Sequence, residues 1–145
     1  MKWPFFLFLS SSMSYGALPS TSINVSQGAI RLAITSLNSG SGSATNNSST
    51  YTASATAGMG ILKITGQIDQ MMPAQSTLLA TLATQSGIST GPTFLSTTAK
   101  NLVTTINAFT GFTDVNQTIN LTFSISSGYA GGSSLTRTVT YTITN

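Results

Sequence analysis

The chain of 145 residues contains no cysteine and no histidine. Those two absences remove disulfides, thiolate nucleophiles, Ser-His-Asp triads and zinc sites built from ordinary ligands. Charge is also scarce: Asp, Glu, Lys and Arg together make up 5%, against roughly 25% in average globular chains. The formal net charge of +3 comes from Lys2, Arg31, Lys63, Lys100 and Arg137 against Asp69 and Asp114. These cations are spread along the chain, so no basic patch is available to neutralise phosphates, and no nucleic-acid partner is expected. Asp69 and Asp114 are the only side-chain carboxylates. A glycosidase needs two carboxylates facing one sugar bond, whereas these two read as solvated turn residues. Asp114-Val115-Asn116 offers too few oxygens for calcium and reads as an Asx-type turn. Gly128, Gly131 and Gly132 sit between two strand patterns, not between a strand and a helix, so they are no phosphate cradle. No catalytic residue, cofactor or metal is expected, and the chain does not read as an enzyme.

Serine, threonine, asparagine and glycine take the place of charge, while 40% of the residues are hydrophobic. That fraction is enough for a packed core, so the chain reads as one folded domain and not as a disordered tail. The plainest pattern is the last one. Leu135, Arg137, Val139, Tyr141 and Ile143 alternate with Thr136, Thr138, Thr140, Thr142 and Thr144. Successive strand side chains point to opposite faces, so this is a strand with one largely apolar face and one hydroxyl face. Ile119, Leu121, Phe123 and Ile125 alternate in the same way, and the Gly-rich Ser127–Ser134 lies between. The two runs are expected to form a hairpin at the centre of the core.

Met1-Lys2-Trp3, the apolar Pro4–Leu9 and the small, polar Ser10–Gly16 follow the basic, apolar, small order of a secretory signal peptide. Cleavage is expected after Gly16, leaving 17–145 as a single exported domain without stable membrane insertion. Residues 17–35 form an edge strand or a donated strand. Within them Ile23 and Val25 alternate, and Ile30, Leu32 and Ile34 alternate on the other parity. Thr35–Ser49 reads as a Ser/Gly/Asn loop, and Thr50–Ala57 as a weak peripheral strand. Ile61–Asp69 and Thr77–Thr84 read as strands, with Phe94-Leu95 a short one. Ala99, Leu102, Val103 and Ile106 recur at i, i+3, i+4 and i+7, so Thr97–Ile106 is expected to hold a short helical turn. The sum is an all-β, immunoglobulin-like Greek-key β-sandwich of about seven strands.

Five Asn-x-Ser/Thr triplets begin at Asn24, Asn46, Asn47, Asn116 and Asn120. A chain this rich in Asn, Ser and Thr makes such triplets by composition, and they are not taken as glycan acceptors. The threonine row of the last strand is not taken as an ice-binding face, because only one strand shows it cleanly.

A leader, an alternating N-terminal segment and a small sandwich ending in Arg137-Thr-Val-Thr-Tyr-Thr-Ile-Thr144 resemble secreted bacterial pilin or fimbrial subunits. Leu95–Val103 fits the same likeness. The chain differs from chaperone–usher pilins in lacking a cysteine pair and an aromatic residue beside its C terminus. The resemblance implies a non-enzymatic extracellular subunit that assembles with itself by strand addition into a filament or surface layer. It makes Ile23, Val25, Ile30, Leu32, Ile34, Val139, Tyr141 and Ile143 the candidate subunit-interface residues. The candidate edge strands, Thr21–Thr35 and Leu135–Thr144, carry very few charges, which points the same way, since monomers usually guard their edges with charge or proline. An assembly factor is a further expected partner. The alternative is a secreted adhesin or carbohydrate-binding module taking a host-surface glycan, with Phe109, Phe112 and Tyr129 as candidate ligand contacts.

Overall fold

The computed structural model describes residues 18–132 and 134–145. The leader expected over 1–16 lies outside the described residues. Among the described residues nine strands follow one another: β1 (Thr21–Val25), β2 (Gly42–Ala55), β3 (Ile61–Ile68), β4 (Ser76–Leu82), β5 (Ile88–Ser89), β6 (Thr93–Phe94), β7 (Lys100–Asn107), β8 (Phe112–Ile125) and β9 (Val139–Thr144). They make two antiparallel sheets, ordered β1-β2-β8-β4-β6 and β5-β7-β3-β9. The sheets face each other across one core. β2, β4 and β8 supply Tyr51, Ala53, Ala80, Leu82 and Ile119 from one side, and β3 and β7 supply Leu62, Ile64, Leu102, Val103 and Ile106 from the other. The all-β sandwich expected from the period of two is therefore present.

From β2 onward every successive strand changes sheet. The terminal hairpin does not form: β8 is central in the five-stranded sheet, while β9 is an edge of the four-stranded one. The Gly-rich segment carries the chain between layers. The physical reason is that alternation specifies a face to bury, not the strand it pairs with, and both runs bury their apolar faces in the same core from opposite sides.

The helical turn expected over Thr97–Ile106 is strand β7. Two one-residue insertions explain the misleading spacing. Leu62 and Ile64 of β3 pair with Ile106 and Val103, and Thr65 next pairs with Asn101. Each insertion advances the inward parity by one residue, so Leu102, Val103 and Ile106 all reach the core. Thr105 is one of the inserted residues and has φ 58°, a left-handed conformation that a β-branched side chain rarely takes.

Another bulge hides the true length of β2. Asn46 pairs with Leu121 and Ser49 with Ile119, so Asn47 and Ser48 together oppose Asn120. Parity switches there, and the Asn46 carboxamide oxygen accepts from the Ser48 amide at 3.2 Å. Of the stretch Thr35–Ser49 read as a loop, Gly42–Ser49 is thus the first part of a 14-residue strand. The half read as peripheral carries Tyr51 and Ala53 in the core.

Candidate functional site

The two flanks of the sandwich are built differently. On one flank the edges are β5 and β6, of two residues each, joined through Thr90-Gly91-Pro92. Very short strands and a proline leave little backbone for a newcomer to pair with. On the other flank the edges are β1 and β9, which lie close to one another across the gap between the sheets. β9 bonds to β3 along Val139–Thr144, in register from Val139 opposite Ile68 to Thr144 opposite Lys63. Its outer edge has no strand partner among the described residues. β9 carries no charge and no proline, so two of the usual guards against strand addition are missing from it.

The start of β9 is held firmly. The Thr138 amide donates to the Asp69 carboxylate at 2.9 Å, and the Asp69 amide donates to the Thr138 carbonyl at 3.1 Å. The Arg137 guanidinium donates to the Met71 carbonyl at 2.6 Å. Asp69 is therefore exposed but not idle: it fastens the end of β3 to the entry of β9. A fixed, open edge is a better template than a frayed one, because less conformational entropy is lost when a strand docks on it.

The chain between β1 and β2 holds a second unusual feature. None of the backbone–backbone hydrogen bonds among the described residues uses Gln27–Leu37. Ile30, Leu32 and Ile34 are nevertheless half-buried while Arg31 and Ala33 are exposed, so the segment alternates like a strand without pairing like one. β1 is paired with β2, Ile23 opposite Ala53 and Val25 opposite Tyr51.

Of the expected interface residues, Ile23, Ile30, Leu32, Val139, Tyr141 and Ile143 all pack half-buried against the one core. Val25 stays 39% exposed, and Ile34 lies further along, near Gly42 at the start of β2. Burial pushes the Tyr141 hydroxyl up to about 12, from an ordinary 10.0. The expected ligand residues are not brought together. Phe109 and Phe112 bracket the turn that leads into β8, whereas Tyr129 lies beyond the other end of that strand. Phe112 packs on the core, and only Phe109 is well exposed.

One functional-looking group escaped the sequence. Asp114, read as a solvated turn residue, is fully buried in β8. Thr84 donates to its carboxylate at 2.7 Å, the Gln85 amide at 3.0 Å and the Ser86 amide at 3.4 Å, and the Ser86 hydroxyl donates as well. Burial alone raises the acid's pKa. The bonds from Ser86, Thr84 and the Gln85 and Ser86 amides outweigh it and hold the carboxyl below its ordinary value of 3.8. Beside it, the Tyr51 hydroxyl donates to the Ala83 carbonyl at 2.5 Å. Burial first, and the Asp114 charge second, push that phenol up to about 12 against the opposing bond to Thr84.

A bulge puts Asp114 there. Tyr51 pairs with Gln117 and Ala53 with Asp114, so Val115 and Asn116 together oppose Thr52, with Asn116 at φ 52°. The parity of Ile119, Leu121 and Phe123 points Val115 inward; the bulge turns Val115 out and Asp114 in. The carboxylate then fastens the crossing from β4 to β5. Every partner it has is a neighbouring loop donor, which makes it a structural latch. Among the described residues no three acidic side chains are grouped to hold a metal. No protein family, curated protein or solved structure matches this chain.

Proposed function

We propose that the chain is a non-enzymatic, exported structural subunit that assembles with copies of itself by strand addition, into a pilus-like filament or a surface layer. The observation that carries this reading is the flank formed by β1 and β9. It presents an open, uncharged edge strand held rigid at its entry, while the opposite flank is closed by short strands and proline. An exposed, uncharged edge pairs with whatever strand reaches it, and copies of the same chain are the commonest source at high local concentration. Gln27–Leu37, alternating and without a backbone partner among the described residues, is available backbone on the same molecule. A surface of serine and threonine in place of charge lets subunits pack without repulsion. Export through the leader over 1–16 brings the subunits outside the cell, where an assembly factor or a host-surface glycan would meet them.

The test is a charged edge. Thr140→Lys with Thr142→Lys places two cations on the exposed face of β9 without touching Val139, Tyr141 or Ile143. The doubly substituted protein is expected to keep its far-ultraviolet spectrum and melting temperature, and to lose association in sedimentation velocity. Unchanged association of a folded variant would remove β9 from the account. Specific binding of the dispersed wild-type monomer on a glycan array would instead favour the adhesin alternative.

A further inference from the structure

From Thr138 to Thr144 the chain runs Thr-Val-Thr-Tyr-Thr-Ile-Thr. The order is the same in kind from either end. Thr138 answers Thr144, Val139 answers Ile143, Thr140 answers Thr142, and Tyr141 stands at the centre. A strand laid antiparallel to a copy of itself, about a two-fold axis at its central residue, meets its own sequence reversed. About Tyr141 that sets threonine opposite threonine, Val139 opposite Ile143, and Tyr141 opposite Tyr141. Hydroxyl, β-branched and aromatic residues are favourable cross-strand partners.

The backbone of β9 is turned the right way for such a pair. Opposed residues of an antiparallel ladder alternate between pairs that exchange both their hydrogen bonds and pairs that exchange none. The Asp69 amide donates to the Thr138 carbonyl at 3.1 Å, and Thr140, Thr142 and Thr144 lie opposite Gln67, Thr65 and Lys63. The threonines therefore direct their amides and carbonyls at β3. On the same side the Thr65 hydroxyl donates to the Thr142 carbonyl at 3.4 Å. Ile68, opposite Val139, turns its amide the other way, donating to the Ser96 carbonyl at 2.9 Å. Val139, Tyr141 and Ile143 thus aim their amides and carbonyls out from the edge, where none has a backbone partner among the described residues. Their side chains pack half-buried on the core, and Thr140, Thr142 and Thr144 lie exposed on the opposite face.

We propose that the strand taken by the β9 edge is β9 of a second copy, antiparallel and centred on Tyr141. In that register the outward backbone groups of Tyr141 meet those of the second Tyr141, and those of Val139 meet Ile143, so each pair can exchange both its bonds. Both apolar rows stay on the core side and both threonine rows on the solvent side. The occupant is a second copy because the seven-residue order is its own complement, and because both strands are already extended and held. Gln27–Leu37 could be buried on the same edge only by lifting Ile30 and Leu32 off the core they pack against. The contact is isologous and uses β9 of both copies, so it closes as a pair. The proposal rests on the self-assembly reading and deepens it: the assembling unit is a two-fold dimer, and growth beyond it falls to other surfaces, such as the outer edge of β1.

The absence of cysteine lets introduced thiols read the register. In the proposed pair Thr140 lies opposite Thr142 of the second copy, with Cα atoms about 4.5 Å apart, a span that a disulfide bridges. Two copies of Thr140 are diagonal neighbours at about 7–8 Å, beyond that span, and so are two copies of Thr142. Thr140→Cys, Thr142→Cys and an equimolar mixture of the two are oxidised over a series of concentrations, beside sedimentation velocity of the wild type. Each variant is first shown to melt near the wild-type temperature. The mixture is expected to give covalent dimer, and nothing larger, at about tenfold or more the yield of either variant alone. A wild type that associates, with a mixture that links no better than the single variants, overturns the β9 pair and leaves strand addition standing. A linked mixture with a wild type that stops at dimers supports the pair and counts against the filament. A wild type that stays monomeric, with no linkage in any sample, defeats both.

Discussion

Replacing Asp114 by alanine should be among the most damaging single substitutions in the protein. Its carboxylate is fully buried and takes four donors, two hydroxyls and two amides. Hydrogen bonds to a charged group contribute about 1.5–3 kcal/mol each. The four are not additive, and Thr84 and Ser86 are half-buried and Gln85 exposed, so water recovers part of the loss. A net destabilisation of about 3 kcal/mol is expected, which for a domain of this size lowers the melting temperature by about 10 °C. Equilibrium unfolding in guanidinium, wild type against Asp114→Ala, reads this directly. The sign of the pH dependence follows from the depressed folded-state pKa. The carboxylate's contribution is complete above the ordinary value of 3.8 and is lost as pH falls below it, through the folded-state value. The stability difference between wild type and variant should therefore be constant near neutrality and shrink in strong acid. A loss under about 1 kcal/mol at neutral pH, or a difference that grows on acidification, refutes the latch.

Further expectations concern other buried groups. Ser49 is fully buried and its hydroxyl has no partner among the described residues; Ser49→Ala should stabilise by about 1 kcal/mol in the same unfolding assay. Thr105 at φ 58° is strained, so Thr105→Asn should add roughly 0.5–1 kcal/mol, and a neutral result would show that the bulge carries no strain. The Tyr141 hydroxyl ionises near 12 when folded and near 10.0 when unfolded, so its contribution is present below pH 10 and lost above it. Tyr141→Phe should flatten the alkaline decline of a melting curve series measured from pH 8 to 11.

Much of the architecture was legible because a half-buried strand alternates. Val139, Tyr141 and Ile143 face the core as their spacing predicts, and so do Leu78, Ala80 and Leu82. What misled was the β-bulge. One inserted residue flips parity, so Leu102, Val103 and Ile106 mimic a helix, Gly42–Ser49 resembles a loop, and Asp114 reads as a solvated turn residue. A hint was available at Asp114: it lies next to a strong inward run, one parity out of step, in a chain with almost no other charge. Nothing local could reveal that β8 and β9 lie in different sheets, because pairing partners are chosen by the whole core. Of the candidate surface, the apolar residues of β1 and β9 were readable. The contrast between an open flank and a proline-guarded one needed the topology, and so did the separation of Phe109 from Tyr129.

The most direct test is negative-stain electron microscopy of the purified wild-type protein beside the Thr140→Lys/Thr142→Lys variant, both first shown to be folded. Regular fibres or sheets in the wild type, and dispersed particles in the variant, are the expected result. A wild type that stays dispersed at every concentration, or a variant that assembles as well as the wild type, contradicts the account.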